Sequence, residues 1–157
     1  MMQGHESYMC LALREAEKAA RRDEVPVGAV VVREGKVIAR AYNRRETDKN
    51  PCAHAELLAI EKAAKKLGGW RLLGCSLYVT LEPCPMCAGA IVNSRIEAVY
   101  FGAFDPKAGC FGSICNFIEL PLNHHPKILG GVLERECAAV LKEYFRQKRE
   151  SKKKLES

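Results

Sequence analysis

Apolar residues recur along the chain with two periods, and these predict an alternation of helices and strands. In residues 6–22 the apolar side chains recur every three or four positions, the spacing of one helix face: Met9, Leu13, Ala16 and Ala20. A β-branched run at 27–32 precedes Glu34-Gly35 and a second apolar run at 36–39. A turn pair between two such runs predicts a β-hairpin.

The same reasoning predicts the elements of the remaining chain. Residues 42–53 are polar and contain Asn50-Pro51, which predicts a loop. A helical pattern over 54–66 stops at Gly68-Gly69. Further along, the pattern predicts a strand at 76–80, a helix at 85–93, a strand at 98–101, an irregular segment at 102–123 with one short helical turn, a strand at 127–129 and a helix at 133–149.

The order of these elements predicts the fold class. Strands that alternate with helices are typical of a layered α/β domain, and the hairpin makes the five-stranded sheet mixed. A chain of 157 residues is long enough for one domain with a hydrophobic core, which we place at 1–149. The basic residues of 150–157 predict a frayed tail.

Composition narrows the function classes. The chain is 48% hydrophobic and 28% charged, which is typical of a globular protein. No apolar run approaches the roughly 20 residues of a membrane span, and MMQGHESYMC has no signal-peptide pattern, so we expect a cytoplasmic protein without membrane contact. In a reducing compartment the eight cysteines are expected to be free, buried or metal-bound. The net charge of +6 permits a polyanionic partner without requiring one.

Four residues form a candidate catalytic metal site: His54, Glu56, Cys84 and Cys87. Zinc prefers tetrahedral nitrogen and sulfur ligands, and a catalytic zinc site keeps one position open for water. One histidine and a Cys-x-x-Cys pair at a helix start supply three ligands, and the helix N-terminus favours thiolates. Glu56 is suited to move protons to and from a water molecule at the open position.

Other readings of these residues stay open when each motif is taken alone. Cys-x-x-Cys pairs also serve redox and structural zinc sites. A structural site needs a fourth protein ligand, for which Cys52, Cys75 and His124 are candidates without the usual paired spacing. The combination of His-x-Glu with Pro83 and the cysteine pair, however, is the signature of zinc deaminases.

Further motifs extend this signature over most of the chain. They are EVPVGAV at 24–30, Asn43, AHAE at 53–56, TLEPCPMCAGA at 80–90, DPKAG at 105–109, NH at 123–124 and ECAA at 136–139. On these residues the chain, from about Ser7 to about Arg149, resembles the bacterial tRNA-specific adenosine deaminases of the cytidine deaminase-like superfamily. The zinc motif is shared by the superfamily, whereas DPKAG, NH and ECAA point to the tRNA-editing branch.

The resemblance implies a fold, a reaction and partners. The expected fold has three layers, with helices on both faces of the mixed sheet. The expected reaction converts adenosine to inosine at the wobble position of a tRNA anticodon stem-loop. His54, Cys84 and Cys87 would hold one Zn²⁺ per subunit, Glu56 would shuttle protons, and the enzyme would be a homodimer with its RNA groove near the subunit interface.

The resemblance also assigns substrate contacts. Asn43, the Ala55 amide and Val27 would meet the flipped adenosine. Asp105 and Lys107 would lie in a loop that touches the neighbouring anticodon nucleotides, with Asn123 and His124 nearby. Phe145 and the basic end of the last helix would meet the RNA. From residue type alone, Asn43 could instead cap a loop, Asp105-Pro106 could form a turn and Val27 could be a core residue. The basic helix end could be a solvated terminus.

The chain departs from the family pattern in places. His125-Pro126 stands where an arginine and an apolar residue are frequent, which removes one expected RNA contact. Cys52 and Cys110 replace small or hydroxyl residues. Two rival hypotheses remain at this point: a zinc deaminase of a free base or nucleotide such as guanine, cytosine or dCMP, and a zinc-stabilised RNA-binding module without catalysis.

Overall fold

A mixed five-stranded sheet forms the centre of the protein. The structure is a computed structural model that describes the backbone of residues 2–156 and the side chains of 4–156. The strands are β1 Gly28–Arg33, β2 Lys36–Tyr42, β3 Cys75–Leu81, β4 Ala98–Ala103 and β5 Lys127–Leu129. Their order across the sheet is β2-β1-β3-β4-β5. β1 runs antiparallel to β2 and β3, whereas β3, β4 and β5 are mutually parallel.

Four helices cover both faces of the sheet: α1 Met2–Arg21, α2 Ala55–Leu67, α3 Pro85–Asn93 and α4 Glu134–Glu156. Alternate β1 residues point to opposite faces, as the pleat requires. Val31 packs in the core with Ala59 of α2 and Ile91 of α3. Val30 packs with Met9 of α1 and Cys137 of α4. The predicted three-layer α/β fold is therefore confirmed.

Close packing between α1 and the sheet depends on a glycine in β1. A Cβ atom on Gly28 would lie 2.0 Å from the Ala12 carbonyl oxygen and 2.4 Å from the Ala16 nitrogen. These distances are too short for any side chain, so only glycine lets the helix backbone approach the strand this closely. This contact fixes α1 across the edge at which the site forms.

The chain segments that carry the candidate site all leave the sheet at one edge. The carboxyl ends of the parallel strands β3 and β4 meet there, as do the start of β1 and the end of β2, since Gly28 pairs with Tyr42. The Gly28 amide also donates to Thr80 Oγ1 at 3.1 Å. The topology therefore gathers the loops after β2, β3 and β4 around one space.

The predicted elements are all present, with differences at the termini. The helix predicted over 6–22 begins at Met2, and the last helix continues to Glu156 instead of ending near 149. Arg146 pairs with Glu143 and Glu150 on successive turns, and such pairs stabilise exposed helices. The continuous helix covers the segment predicted to be a tail, whose fraying stays a prediction. Within residues 2–156, no helix combines the length and apolar character needed to span a membrane.

Candidate metal centre and substrate cavity

The N-terminus of α2 carries the first pair of candidate residues. His54 is the N-cap residue, with an extended backbone (φ −78°, ψ 150°), and Glu56 lies in the first turn. The Glu56 side chain points inward and is only 4% exposed. A carboxylate in the first turn is stabilised by the positive end of the helix dipole.

The cysteine pair lies at the N-terminus of α3. Cys84 is its N-cap residue, Pro85 is at the first helical position, and Cys87 is buried one turn from Cys84. Proline is favoured at this position because its missing N–H would have no helical partner. The two helix N-termini therefore meet at one point, and both favour negative charge there.

The three ligand atoms have the separations that a shared zinc ion requires. His54 Nδ1 lies 3.7 Å from Cys84 Sγ and 3.5 Å from Cys87 Sγ. Tetrahedral zinc with Zn–S near 2.3 Å and Zn–N near 2.0–2.1 Å places nitrogen and sulfur about 3.6 Å apart. The ligand atoms of the three residues all lie within 4.8 Å of one another. The donor set therefore fits zinc.

A fourth protein ligand does not join this group among the described residues 2–156. The cluster of metal-ligating side chains contains only His54, Cys84 and Cys87. Cys52 is exposed, and Cys75 is buried at the start of β3, at the opposite end of that strand from Cys84. His124 Nε2 donates to the Ile96 carbonyl at 2.6 Å, near the start of β4. The three candidates for a fourth zinc ligand therefore all lie outside this metal-ligating cluster.

The electrostatics of the thiols favour metal binding at Cys84. The hydrogen bond with Cys87 lowers the pKa of Cys84 to about 4; burial opposes this shift, and the contact with His54 reinforces it. The same sulfur contact, together with burial, raises the pKa of Cys87. The pKa of His54 is raised, mainly by its contact with Cys84. A lowered thiol pKa favours the thiolate, which is the form of cysteine that binds a metal ion.

The Glu56 carboxyl lies beside this cluster. Burial raises the pKa of its carboxyl above the ordinary value, against the opposing effect of the helix backbone and His54. Its side chain also contacts the Cys87 thiol. A carboxyl with a raised pKa holds and releases protons closer to neutral pH, which is the property of a general acid–base.

A cavity of about 220 Å³ opens directly onto His54, Glu56 and Cys84. It is lined by Val25, Val27, Asn43, Arg45, His54, Ala55, Glu56, Leu81, Glu82, Cys84, Asp105 and Ala108. Four of the predicted substrate contacts are in this set, namely Val27, Asn43, Ala55 and Asp105. The walls combine apolar side chains with a few polar groups, as small-molecule sites do.

The comparison with known proteins agrees with this geometry. Residues 2–103 match the family described as the cytidine and deoxycytidylate deaminase zinc-binding region. The tRNA-specific adenosine deaminase of Bacillus subtilis (strain 168) is 56% identical over 149 residues, covering 94% of this chain and 92% of that protein. The enzyme of the same name from Aquifex aeolicus is 48% identical and covers 93% of this chain and 97% of its own length. This chain belongs to the tRNA-specific adenosine deaminase family.

Solved structures of deaminases have the same fold as this chain. A structure described under A-to-I editing by tRNA:A34 deaminases at the wobble position superposes with a TM-score of 0.84 and 48% identity, covering 86% of this chain and 99% of that one. A guanine deaminase from Nitrosomonas europaea gives a TM-score of 0.75 at 26% identity, covering 88% and 83%. The matching family model is a zinc-binding region, so zinc is the metal of this deaminase.

In this deaminase the loop after β4 joins the cavity to a second surface. Asp105 Oδ1 accepts hydrogen bonds from the amides of Lys107 (3.0 Å) and Ala108 (3.3 Å), so the predicted turn is present. Lys107 faces a surface groove of about 590 Å³, which we call the basic groove; it is lined by Lys107, Leu141, Lys142, Phe145, Lys148, Arg149 and Lys152. Lys107 and Phe145, 38 residues apart in the chain, are thus brought together.

Asn123 and His124 are not brought together with the other predicted residues. They precede β5, and His124 contacts the carbonyl of Ile96 before β4, whereas the cavity lies beyond the carboxyl end of β4. Asn123 is exposed. His125 Nε2 contacts the Leu120 carbonyl at 2.7 Å, so its ring is engaged within its own loop. RNA contacts by Asn123 and His124 stay predictions.

Three residues at the site have no role predicted from the sequence. Arg45 lines the cavity, and the buried carboxylates Glu24 and Glu82 hold the loops on its two sides. A signal was present for the glutamates, because each borders an apolar strand segment and stands close to a proline: Glu24 two positions before Pro26, and Glu82 directly before Pro83. A charged residue at such a position is buried only when its hydrogen bonds are satisfied.

Proposed function

We propose that this chain is a zinc-dependent hydrolase that converts adenosine to inosine at the wobble position of a tRNA anticodon. His54, Cys84 and Cys87 would hold one zinc ion per subunit, and Glu56 would be the proton shuttle. The observation that carries the proposal is the three-membered ligand group beside a buried glutamate at the inner end of a cavity. A structural zinc site is closed by four protein ligands and requires neither an adjacent acid nor a cavity that opens onto the ion.

The zinc ion and the residues of the chain would supply different parts of the reaction. When bound, zinc is a Lewis acid that activates water as a nucleophile near neutral pH. Glu56 takes the proton that water gives up, and it returns protons to the ring nitrogen and to the departing ammonia, as the glutamate of zinc deaminases does. Its burial supports this role, because the raised pKa makes the carboxylate a stronger base towards the water proton.

The cavity walls would recognise the adenine base. A base must leave the stack before its ring can react, so the pocket needs apolar surface and polar readers. Val27 supplies apolar surface, and the Ala55 amide is one of the unpaired donors at the start of α2. Asn43 donates to the Val25 carbonyl and accepts from the Arg45 amide, at 3.1 Å each. One amide hydrogen and one lone pair of Asn43 remain for the substrate.

The basic groove would bind the anticodon stem-loop beyond the flipped base. Its five cationic side chains, Lys107, Lys142, Lys148, Arg149 and Lys152, surround the 44% exposed ring of Phe145. Cations that neutralise phosphates and an aromatic ring on which bases stack are the usual means of binding RNA loops. The turn at Asp105 would carry Lys107 towards the nucleotides next to the flipped adenosine.

Three further proposals concern the whole protein. We propose a homodimer, because Asn123 and His124 lie away from the cavity of their own subunit and would need a second copy to approach an RNA. The same segment exposes Leu120, Leu122 and Leu129, as an interface would. We also propose that residues 1–149 act as one deaminase domain and that the protein works in the cytoplasm. Sedimentation equilibrium at micromolar protein tests the dimer, and a monomer there would contradict it.

Inosine formation on RNA tests the proposed function. Zinc-loaded protein is incubated with a tRNA that carries an ACG anticodon, and inosine is scored at the first anticodon position. The same protein is offered free guanine, cytosine and dCMP. Conversion of the tRNA alone is expected. Turnover of a free base without conversion of the tRNA would contradict the proposal and favour the rival deaminase class.

A further inference from the structure

Glu82 lies between the metal end and the RNA end of the cavity. It follows the last residue of β3 and precedes the metal-site residue Cys84 by two positions. Its amide donates to the Ala103 carbonyl at 2.9 Å, which continues the pairing of β3 with β4 by one step. The side chain is 2% exposed. A buried carboxylate is expensive unless its oxygens are hydrogen-bonded.

Loop 105–113 supplies these hydrogen bonds. Oε1 of Glu82 accepts from the Asp105 amide at 3.1 Å and from Ser113 Oγ at 2.5 Å. Oε2 accepts from the amides of Phe111 (3.0 Å) and Ser113 (3.2 Å). The two ends of the loop are thus held by one carboxylate, and hydrogen bonds to a charged acceptor are the strong ones.

The loop also closes tightly over this carboxylate. A Cβ atom on Gly109 would lie 2.3 Å from Glu82 Cδ and 2.4 Å from its Oε1. The next residue, Cys110, donates its amide hydrogen to the Pro83 carbonyl at 2.9 Å. The loop therefore rests on the Glu82-Pro83 segment that leads directly to Cys84.

Glu82 holds the loop that borders both the substrate cavity and the basic groove. Asp105 and Ala108 line the cavity, and Lys107 lines the basic groove. The Asp105 carboxylate is used within its own turn, so the turn moves as a unit with the Asp105 backbone. The Asp105 amide is one of the groups bound to Glu82.

We propose that Glu82 is a positioning residue that sets the RNA-binding loop 105–113 in register with the metal site. It does so without contacting the reacting atoms, because its carboxylate faces the loop. The inference rests on the proposed tRNA function. Its consequence is that a single buried side chain sets the position of the loop that contacts the neighbouring nucleotide relative to the site that binds the flipped base.

The isosteric change Glu82→Gln tests this role at a defined atom. The amide has one acceptor oxygen, which can satisfy the Phe111 and Ser113 amides at the Oε2 position. Its NH₂ group then faces Ser113 Oγ, which can accept, and the Asp105 N–H, which cannot. The variant should therefore release the Asp105 end of the loop while leaving the rest of the site in place.

A double-mutant cycle on an ACG anticodon stem-loop provides the readout. kcat/KM is measured for wild type, Glu82→Gln, Lys107→Ala and the double variant, with zinc content measured in each. We expect full zinc occupancy and a loss of about ten- to a hundredfold in Glu82→Gln, the scale of an ångström-sized misplacement. In the Lys107→Ala background the cost of Glu82→Gln should be at least about threefold smaller, because both changes act through one loop. Glu97→Gln, at the exposed start of β4, is the matched control and should behave as wild type.

The outcomes separate the two proposals. Inosine formation by the wild type reports on the function, whereas the ratios among variants report on Glu82. Wild-type kcat/KM in Glu82→Gln, equal costs in both backgrounds, or loss of zinc in proportion to activity would each overturn the positioning role. If Glu82→Gln does not fold, the same cycle is run with Gly109→Ala, which crowds the carboxylate from the loop side and carries the same expectation.

Discussion

At the metal end of the cavity the functional side chains are buried or half-buried and are held by two helix N-termini, whereas in the basic groove they are exposed and extend from one helix and one turn. His54 and Cys84 are both N-cap residues, and Glu56 is 4% exposed. In the groove, Phe145 is 44% exposed and Lys148 pairs with the exposed Asp23. Chemistry needs fixed atoms, whereas attraction of a flexible polyanion needs only charge near a surface.

This difference predicts how mutations act. A change at the metal end removes a specific interaction that nothing else replaces, so its effect falls on kcat. A change in the groove removes one of several similar charges, so its effect falls on affinity and on salt dependence.

Glu56→Ala is expected to cause the largest loss. Removal of a general acid–base typically costs about 10²- to 10⁴-fold in rate. Zinc content and RNA affinity should stay at the wild-type level, because the ligands and the groove are unchanged. Single-turnover inosine formation, metal analysis and RNA titration measure the three quantities.

The matched control for that change is Glu61→Ala, which removes an exposed glutamate from the same helix. It should retain wild-type turnover. If Glu56→Ala unfolds the protein or releases zinc, Glu56 is structural and the metal end is not a catalytic site.

Glu24→Gln should lower stability by about 1.5–3 kcal/mol at neutral pH, the scale of hydrogen bonds to a charged group. Glu24 is buried and accepts from the Glu46 amide and from Thr47 N and Oγ1, which holds the loop that carries Arg45. Burial opposes its charge, but these hydrogen bonds prevail and lower the pKa of the carboxyl.

The sign of the pH dependence follows from this lowered pKa. The folded state favours the charged form, so the stabilisation is complete above the pKa of the unfolded carboxyl and is lost as pH falls through the folded value. Urea unfolding should therefore show the full difference between wild type and Glu24→Gln at neutral pH, and the difference should vanish as pH falls through the lowered pKa of the folded carboxyl. Glu17→Gln, an exposed change on α1, is the control. A difference that grows on acidification would contradict the assignment.

The salt dependence of RNA binding tests the role of the basic groove. Contacts with three to five phosphates predict that log affinity falls with log salt at a slope of about −2 to −4 for single-stranded RNA. The variant Lys148→Ala/Arg149→Ala should weaken this slope by about 1.4, since each contact contributes roughly 0.7. An unchanged slope would mean that the RNA binds elsewhere. The charge-matched control is Arg14→Ala on α1 with Arg22→Ala directly after this helix, since both residues are exposed.

Asp23→Asn should have the smallest effect. Asp23 contacts Lys148 at 2.8 Å, and the hydrogen bond from this lysine lowers the pKa of Asp23. Exposed ion pairs contribute about 0–1 kcal/mol, so stability should barely change. RNA affinity should rise by a few-fold at most, because Lys148 is freed. A tenfold loss of affinity would show that Asp23 orients the lysine for RNA.

The contrast between the two regions also explains what could be predicted from the sequence. The metal residues are set by local rules, since a Cys-x-x-Cys at a helix start and a His-x-Glu before a helical pattern fix residue types and spacing. The strands and helices follow from apolar periodicity, and the parallel pair β3 and β4 then brings the loops after them to one edge. The geometry of this edge is therefore encoded in short segments.

The remaining features depend on contacts between distant segments. Glu82 meets Ser113 across 31 residues, and the grouping of Lys107 with Phe145 depends on how α4 crosses the sheet. The displacement of Asn123 and His124 from the cavity likewise follows from the path of 104–126, which lacks a periodic pattern. Local propensity carries no information about such contacts, so they emerge only in the folded chain.

X-ray absorption at the zinc edge of the loaded wild-type protein counts the protein ligands around the ion. We expect two sulfur neighbours near 2.3 Å, one imidazole nitrogen near 2.0–2.1 Å, and one further light atom that does not come from the protein. The signal should be unchanged in Cys52→Ser and Cys75→Ser. A third sulfur neighbour, or a second imidazole, would mean four protein ligands around the ion and would contradict the catalytic assignment.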